Sequence, residues 1–310
     1  MGLLHATTRF LLSARRAGCS FDEIATLGRQ QIYLRERERE SLKNEFADQN
    51  LAWAGNAPAW GAFAEDFLQQ CLGSKSVASI DFSDFEQATI QHDLNQPIPL
   101  ELHERFDAVI DGGTLEHIFN VPVALANCMQ MVRTGGCVVL TTNANNHCGH
   151  GFYQFSPELF FRVFQPDNGY QVQKVVLVEH PYPGAELSSR QQCYEVVDPD
   201  EVRCRVGLVS RHPVMMMVLA KRIAVTEIFA HSPQQSDYQS RWQEHTDGSD
   251  QSDRPLVPKT ATAKLRRIVG NAKRLLFTAS SQSIQQTITG REQLNEYSLQ
   301  NEKFYRRWRP

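Results

Sequence analysis

The sequence predicts an α/β fold, a doubly wound and mostly parallel seven-stranded sheet with helices on both faces, followed by a C-terminal helical tail. Three observations carry this expectation. First, residues 105–143 read as one strand–loop–helix–turn–strand unit: an apolar run closes on Asp111-Gly112-Gly113, an amphipathic segment follows, and Gly135-Gly136 introduces a second apolar run. Second, short apolar runs alternate with helical patterns along residues 5–222, the layout of a sheet with covered faces. Third, the text after about residue 229 loses apolar periodicity and then turns basic, so the globular unit should end near residue 228.

The elements follow in order. Residues 5–17 have helical spacing, and DEIATLG at 22–28 reads as a first strand ending in glycine. GRQQIYLRERERESLKNEF is rich in helix formers with alternating charge, as on a solvated helix face. Residues 51–70 hold Trp53, Trp60, Phe63 and Phe67 among small residues, a pattern for a helix or a lid whose aromatics are core. SVASIDFSD at 76–84 is the second strand, and a short third lies near residues 89–92. Phe106–Asp111 is the fourth, Gly136–Thr142 the fifth, residues 169–180 the sixth and residues 213–222 the seventh. FSPELFFRVFQP at 155–166 opens on a Ser-Pro helix start and stops at a proline. Met215, Met216 and Met217 read as core.

Composition excludes several classes. With 310 residues and 41% apolar content the chain can bury one large core. No run approaches the ~20 apolar residues of a membrane span. The first 18 residues lack a continuous apolar stretch and a small-residue cleavage site, so they read as an amphipathic helix of a cytoplasmic protein. Seven cysteines, none in a CxxC pair, read as reduced thiols and not as a zinc site. Residues 254–310 carry twelve Lys and Arg against three acids, a net of +9, which leaves −12 on residues 1–253 of a chain at −3. An acidic body with a basic tail implies two tasks or two partners.

In a doubly wound sheet, ligands bind outside the carboxyl ends of the strands, where strand order reverses. Each relevant strand end here offers a suggestive residue. Asp81 follows the second strand and can accept from both hydroxyls of a ribose. Asp93 and Leu94 follow the third, where a carboxylate and backbone N–H groups can meet an adenine. Asp111, Gly112, Gly113 and Thr114 follow the fourth, and the glycines let backbone approach a ligand. Taken singly, each acid is as readily a cap or turn residue; their joint occurrence favours a site.

FDAVIDGGTLEHI resembles the post-strand-four motif of class I S-adenosylmethionine-dependent methyltransferases grouped with the ubiquinone and menaquinone methylases, and VRTGGCVVLTTN resembles their strand-five motif. SIDFSDFEQATIQHDLNQPIP and HGFYQFSPELFFRVF are similar to motifs in methyltransferases of surface-glycan gene clusters. The resemblance covers about residues 20–225. It implies a Rossmann-like fold whose last strand is antiparallel, S-adenosylmethionine as cofactor, Gly28 in the glycine loop, Asp81 at the ribose and Asp93 at the adenine. It also implies Thr114, Glu116 and His117 near the methionine end. The first loop departs from the family's D/E-x-G-x-G-x-G, since Gly28 stands alone and 47 residues separate it from Ser76. The added length could cover the site as a lid.

Methyl transfer from a sulfonium needs an aligned nucleophile and exclusion of water, and a hydroxyl nucleophile needs a base. The loop after the fifth strand, NANNHCGHGFYQF, supplies His150 as the favoured base, with His147 and Tyr153 beside it. The competing reading is that these histidines only brace the loop. No metal site is expected: Glu116-His117 is not half of an HExxH motif, because Asn120 stands where the second histidine would be. No phosphate loop and no GxGxxG after the first strand occur, so ATPase and NAD readings lose support.

The expected organisation is therefore a methyltransferase-like domain over 1–228, a polar linker over 229–258 and a basic amphipathic tail over 259–310. In that tail Leu265, Ile268, Val269, Ala272, Leu275 and Leu276 share one face. The expected activity is O-methylation of a sugar, glycan or other small acceptor. The tail could meet a membrane surface or a protein partner, or dock on its own body; nucleic acid is the least favoured. The rival reading is a catalytically inactive methyltransferase-like interaction module recruited through its basic tail.

Overall fold

The structure is a computed structural model that describes residues 2–47, 58–180, 191–238 and 297–309. Its chain order is β1 (Gly2–Leu4), α1 (His5–Arg16), β2 (Glu23–Leu27), β3 (Gln31–Tyr33), α2 (Glu36–Ala47), β4 (Ala62–Phe63), α3 (Glu65–Leu72), β5 (Ser76–Asp81) and β6 (Ile90–Gln91). β7 (Phe106–Gly112), α4 (Val121–Met131), β8 (Val132–Asn145), α5 (Pro157–Val163), β9 (Tyr170–Glu179), β10 (Gln192–Val196), α6 (Pro199–Val202), β11 (Val214–Arg222) and β12 (Tyr305–Arg307) follow.

Nine of these strands form one sheet in the order β12-β10-β9-β11-β8-β7-β2-β5-β6. From β6 to β8 every pairing is parallel. β11 then inserts antiparallel between β8 and β9. The seven strands expected from the sequence are all present. Counted in chain order they stand as 3-2-1-4-5-7-6 with the seventh reversed, the order of the Rossmann-like methyltransferase fold.

The core explains the patterning. All seven residues of β7 are buried, as a central parallel strand covered on both faces requires. Alternate side chains serve opposite faces. Val109 joins a cluster with Leu125, Met129 and Phe160 of α4 and α5. Ala108 and Ile110 join one with Phe10 and Leu11 of α1 and Phe67 and Leu68 of α3. Helix ends obey local chemistry: Ser156 caps α5 by accepting from Glu158 N, with Pro157 as the first helical residue, and Gly73 closes α3 in the left-handed region at φ 70°.

Three features go beyond the sequence reading. Gln31–Tyr33, read there among helix formers, forms β3 of a separate three-stranded sheet β1-β3-β4. The long connection from Gly28 to Ser76 thus carries β3, α2, β4 and α3. Within it Phe67 is core, whereas Trp60 is partly exposed and packs edge-on against Tyr33; Trp53 lies outside the described residues. Second, β10 and β12 extend the sheet beyond β9. Third, residues 297–309, the end of the stretch read as a basic tail, lie on the body, one of the placements left open for that tail. Trp308 is buried edge-on against Phe10, and Tyr305 donates to the carbonyl of Gly207 at 2.7 Å. The amphipathic segment 259–276 and most of the polar stretch before it lie outside the described residues.

Candidate active site at the strand edge

Parallel strands β2, β5 and β7 end on one edge of the sheet, and their loops converge there. Gly28 follows β2 with φ +68°, a conformation that favours glycine, and its N–H donates to Ile80 O of β5 at 2.7 Å. A Cβ at Gly28 would stand 3.0 Å from Thr114 Oγ1 and 3.7 Å from Asp81 Oδ2. Residues 28, 81 and 114, chosen from three separate motifs, therefore line one spot. Thr114 Oγ1 donates to Leu27 O at 2.7 Å, which ties the post-β7 loop to the end of β2.

Gln30, which no motif singled out, occupies the centre of this convergence. Its amide nitrogen donates to Leu27 O and to Thr114 Oγ1. Its Oε1 is buried and lacks a hydrogen-bond partner. Gly112 is what lets it sit there, since a Cβ on residue 112 would come within 2.2 Å of that oxygen. The loop floor thus encloses an acceptor with no donor against Gly112, while the amide nitrogen of the same side chain and a carboxylate oxygen of Asp81 both lie close to Gly28.

At the outer end, Asp81 is half-buried and accepts from Ser83 N through Oδ1. Asp81 O accepts from His92 N at 2.8 Å, so the post-β6 loop lies directly beside it. Asp93 accepts from both Asn95 N and Asn95 Nδ2, and these bonds hold its carboxyl below the usual range. Leu94 is buried in the core, so it can offer a ligand only backbone. Phe82, next to Asp81, is 71% exposed.

At the inner end the acids are buried. Asp111 receives N–H bonds from Gly113, Thr114 and Leu115. It organises the turn that begins at Gly113 and does not face the crevice as a ligand group. Burial pushes its carboxyl up to about 6 against those bonds. Glu116 is 2% exposed; burial, then the neighbouring Asp111, push it up to about 8, although Thr142 Oγ1 donates to its Oε2 at 2.8 Å.

The loop after β8 folds onto Glu116. Phe152 N and Tyr153 N both donate to Glu116 O. Gly151, at φ +73°, permits the approach, since a Cβ there would lie 2.7 Å from that carbonyl. His150 Nε2 consequently stands 3.8 Å from Glu116 Oε1, and its ring lies 5.1 Å from that of His117. Burial, then His150, lower the His117 pKa. Burial, then His180 and His150, lower His147 to about 4. Tyr153 donates its hydroxyl proton to Phe119 O at 2.8 Å. Phe119 and Phe152, 72% and 68% exposed, meet edge to face at the rim.

The sequence-derived residues therefore fall into two groups on one edge. Gly28, Asp81, Asp93, Leu94, Gly112, Gly113 and Thr114 form the outer and central part, and Glu116, His117, His147, His150 and Tyr153 the inner part. Gln30, Thr142, His180 and Phe119 were missed. Gln30 and Thr142 lie within or next to apolar runs with no motif spacing, so only a predicted strand end could have flagged them. A cleft of about 420 Å³ between α5, β9 and α6 is lined by Arg162, Lys174, Glu195 and Asp198. These already pair as Arg162–Asp198 and Lys174–Glu195, which leaves the strand edge as the candidate site.

No protein-family model matches the chain, and no curated protein matches it. Among solved structures it is similar to a provisionally assigned methyltransferase from Bacillus halodurans, at 10% identity over 70% of this chain and 100% of that one, with a TM-score of 0.41. It is similar to the Burkholderia thailandensis 1,6-didemethyltoxoflavin N1-methyltransferase, solved with bound 1,6-didemethyltoxoflavin and S-adenosylhomocysteine, at 10% identity over 70% of this chain and 78% of that one, with a TM-score of 0.35. A S-adenosylmethionine-dependent methyltransferase from Aquifex aeolicus is similar at 10% identity over 67% and 88%, with a TM-score of 0.33. The fold assignment rests on the strand order described above.

Proposed function

We propose that this chain is a S-adenosylmethionine-dependent methyltransferase that acts on oxygen of a sugar, glycan or other small acceptor. The observation that carries the reading is the convergence of Gly28, Asp81, Thr114 and the partnerless acceptor of Gln30 at the switch edge of a 3-2-1-4-5-7-6 sheet. The residues fit the cofactor. Asp81 supplies acceptors for ribose hydroxyls, Phe82 a face for the adenine, and Asp93 and the backbone at Leu94 its edge. The bound cofactor supplies an electrophilic methyl on its sulfonium.

The protein's own part is alignment and proton handling. The loops after β7 and β8, locked by the N–H bonds to Glu116 O, hold the inner wall of the crevice. His150, exposed beside Glu116 with His147 next to it, is the group placed to take the acceptor's proton. Phe119 and Phe152 offer a flat apolar rim that suits the C–H face of a sugar ring. That the acceptor is a glycan rests on the resemblance of two motifs and is fold-level analogy.

Calorimetric titration of the full chain with S-adenosylmethionine tests the reading. Binding is expected, with Asp81→Ala weakening it; no heat at millimolar cofactor would remove the enzyme. One observation favours the rival, an inactive interaction module: the amide of Gln30 fills space against Gly112 that a flexible multi-glycine loop would leave open. The same titration separates the two.

A further inference from the structure

We propose that Glu116, His117 and His150 form a binding site for a first-row divalent metal ion, with coordination positions left open toward the crevice. The proposal deepens the methyl-transfer reading by assigning a metal to its acceptor end, and it rests on that reading for the use of the metal, not for the site.

The geometry points to it. One ligand atom from each of the three residues lies within 4.8 Å of the other two. A metal ion at its ordinary distance of about 2.0–2.2 Å from N and O ligands holds such atoms roughly 3–4 Å apart, so a small inward movement of two exposed imidazoles closes the set. Two imidazoles and one carboxylate on one side of an ion suit Mn, Fe, Co or Zn, and leave sites for other ligands.

The surroundings are arranged as supports of such a set. Thr142 Oγ1 holds Glu116 Oε2, which turns Oε1 to the side of His150. Glu116 O receives two N–H bonds from the loop that carries His150, and Gly151 lacks the side chain that would prevent this contact. Asn143 Nδ2 reaches His150 O at 3.4 Å from β8. Residues outside the ligands that orient them are a recurrent property of metal sites. Glu116 is itself 2% exposed, and a second buried carboxylate, Asp111, lies behind it. A divalent ion opposite this pair offsets the repulsion between their ionised forms. In this assignment His150 is a ligand, not the base, and His147, whose ring centroid lies 6.2 Å from that of His150, remains for the proton.

The test is Co²⁺ titration of the purified full chain, freed of metal, followed through the visible absorption of bound cobalt. One saturable site is expected. His150→Ala, an exposed position that leaves the core untouched, should lower Co²⁺ affinity by ~100-fold, and Thr142→Val by ~10-fold. Glu116→Gln should act like His150→Ala, and urea unfolding checks that it is folded. His103→Ala, at the opposite edge of the sheet, should leave the titration unchanged. Absence of a cobalt spectrum, or a spectrum that survives His150→Ala, overturns the site. A separate S-adenosylmethionine titration keeps the readings apart: cobalt binding without cofactor binding sustains the metal site and defeats the methyl-transfer reading, and cofactor binding without cobalt binding does the reverse.

Discussion

The two pairs of acids along the strand edge differ in kind. Asp81 and Asp93 sit near solvent at the outer end, and Asp93 is held ionised by its bonds to Asn95. Asp111 and Glu116 sit in the interior at the inner end, where burial pushes both toward the protonated form. Four carboxylates within one short region of sheet thus do different work, and environment alone divides them. The outer pair can accept hydrogen bonds from a neutral ligand with little change in the protein. The inner pair shapes the backbone and responds to positive charge.

The comparison is broken most directly at Asp111. Asp111→Ala would leave the N–H groups of Gly113, Thr114 and Leu115 without their acceptor, and a loss of about 3 kcal/mol in urea unfolding is expected. A loss under about 1 kcal/mol would mean that the turn does not depend on this side chain. The outer pair should behave oppositely. Asp81→Ala should cost about 2 kcal/mol of cofactor affinity, roughly thirtyfold, with the urea midpoint almost unchanged.

Acidity sharpens the contrast at smaller amplitude. Glu116 is raised to about 8 from an ordinary carboxylate value, so between the two the folded chain binds a proton that the unfolded chain has released. Stability should therefore fall as pH rises through this window. His147, lowered to about 4, has the opposite slope below its ordinary value of 6.5. From pH 6.5 to 8, above the range of His147, a fall on the order of 1 kcal/mol is expected that Glu116→Gln abolishes. A flat profile in the wild-type chain would sink the account of a buried acid. The smallest effect is expected at Asp93. Its Oδ1 is already engaged by Asn95, and Asp93→Asn keeps that acceptor, so cofactor affinity should change by less than about threefold.

The strands that carry the site were legible because each is a self-contained signal. The apolar run of β7 closes on Asp111-Gly112-Gly113, and that of β5 closes on Asp81. Such runs mark strands buried on both faces, and the residue at their end marks the edge. What was not legible depends on distant partners. β3 has only three residues and pairs with β1 and β4 across the first third of the chain, so local helix propensity outweighed it in the reading. β12 is set by pairing with β10 more than a hundred residues earlier. Gln30 carries no motif, because its position is defined by Thr114 and Gly112 from another loop. The expectation of no metal came from testing the cysteine spacing and one helical motif, HExxH. The Glu116–His117–His150 set spans two loops and has no fixed spacing for such a test to find.

The two margins of the main sheet are protected by different means. At one, β6 has only two residues, too few to template a neighbour. At the other, β10 would present a five-residue row of open backbone groups, and Tyr305–Arg307 covers it, followed by Trp308 set against Phe10. A shortened chain that lacks residues 297–309 would keep every side chain of the strand-edge crevice and still gain a sticky seam. Loss of solubility, with self-association through β10, is the cost to expect from such trimming.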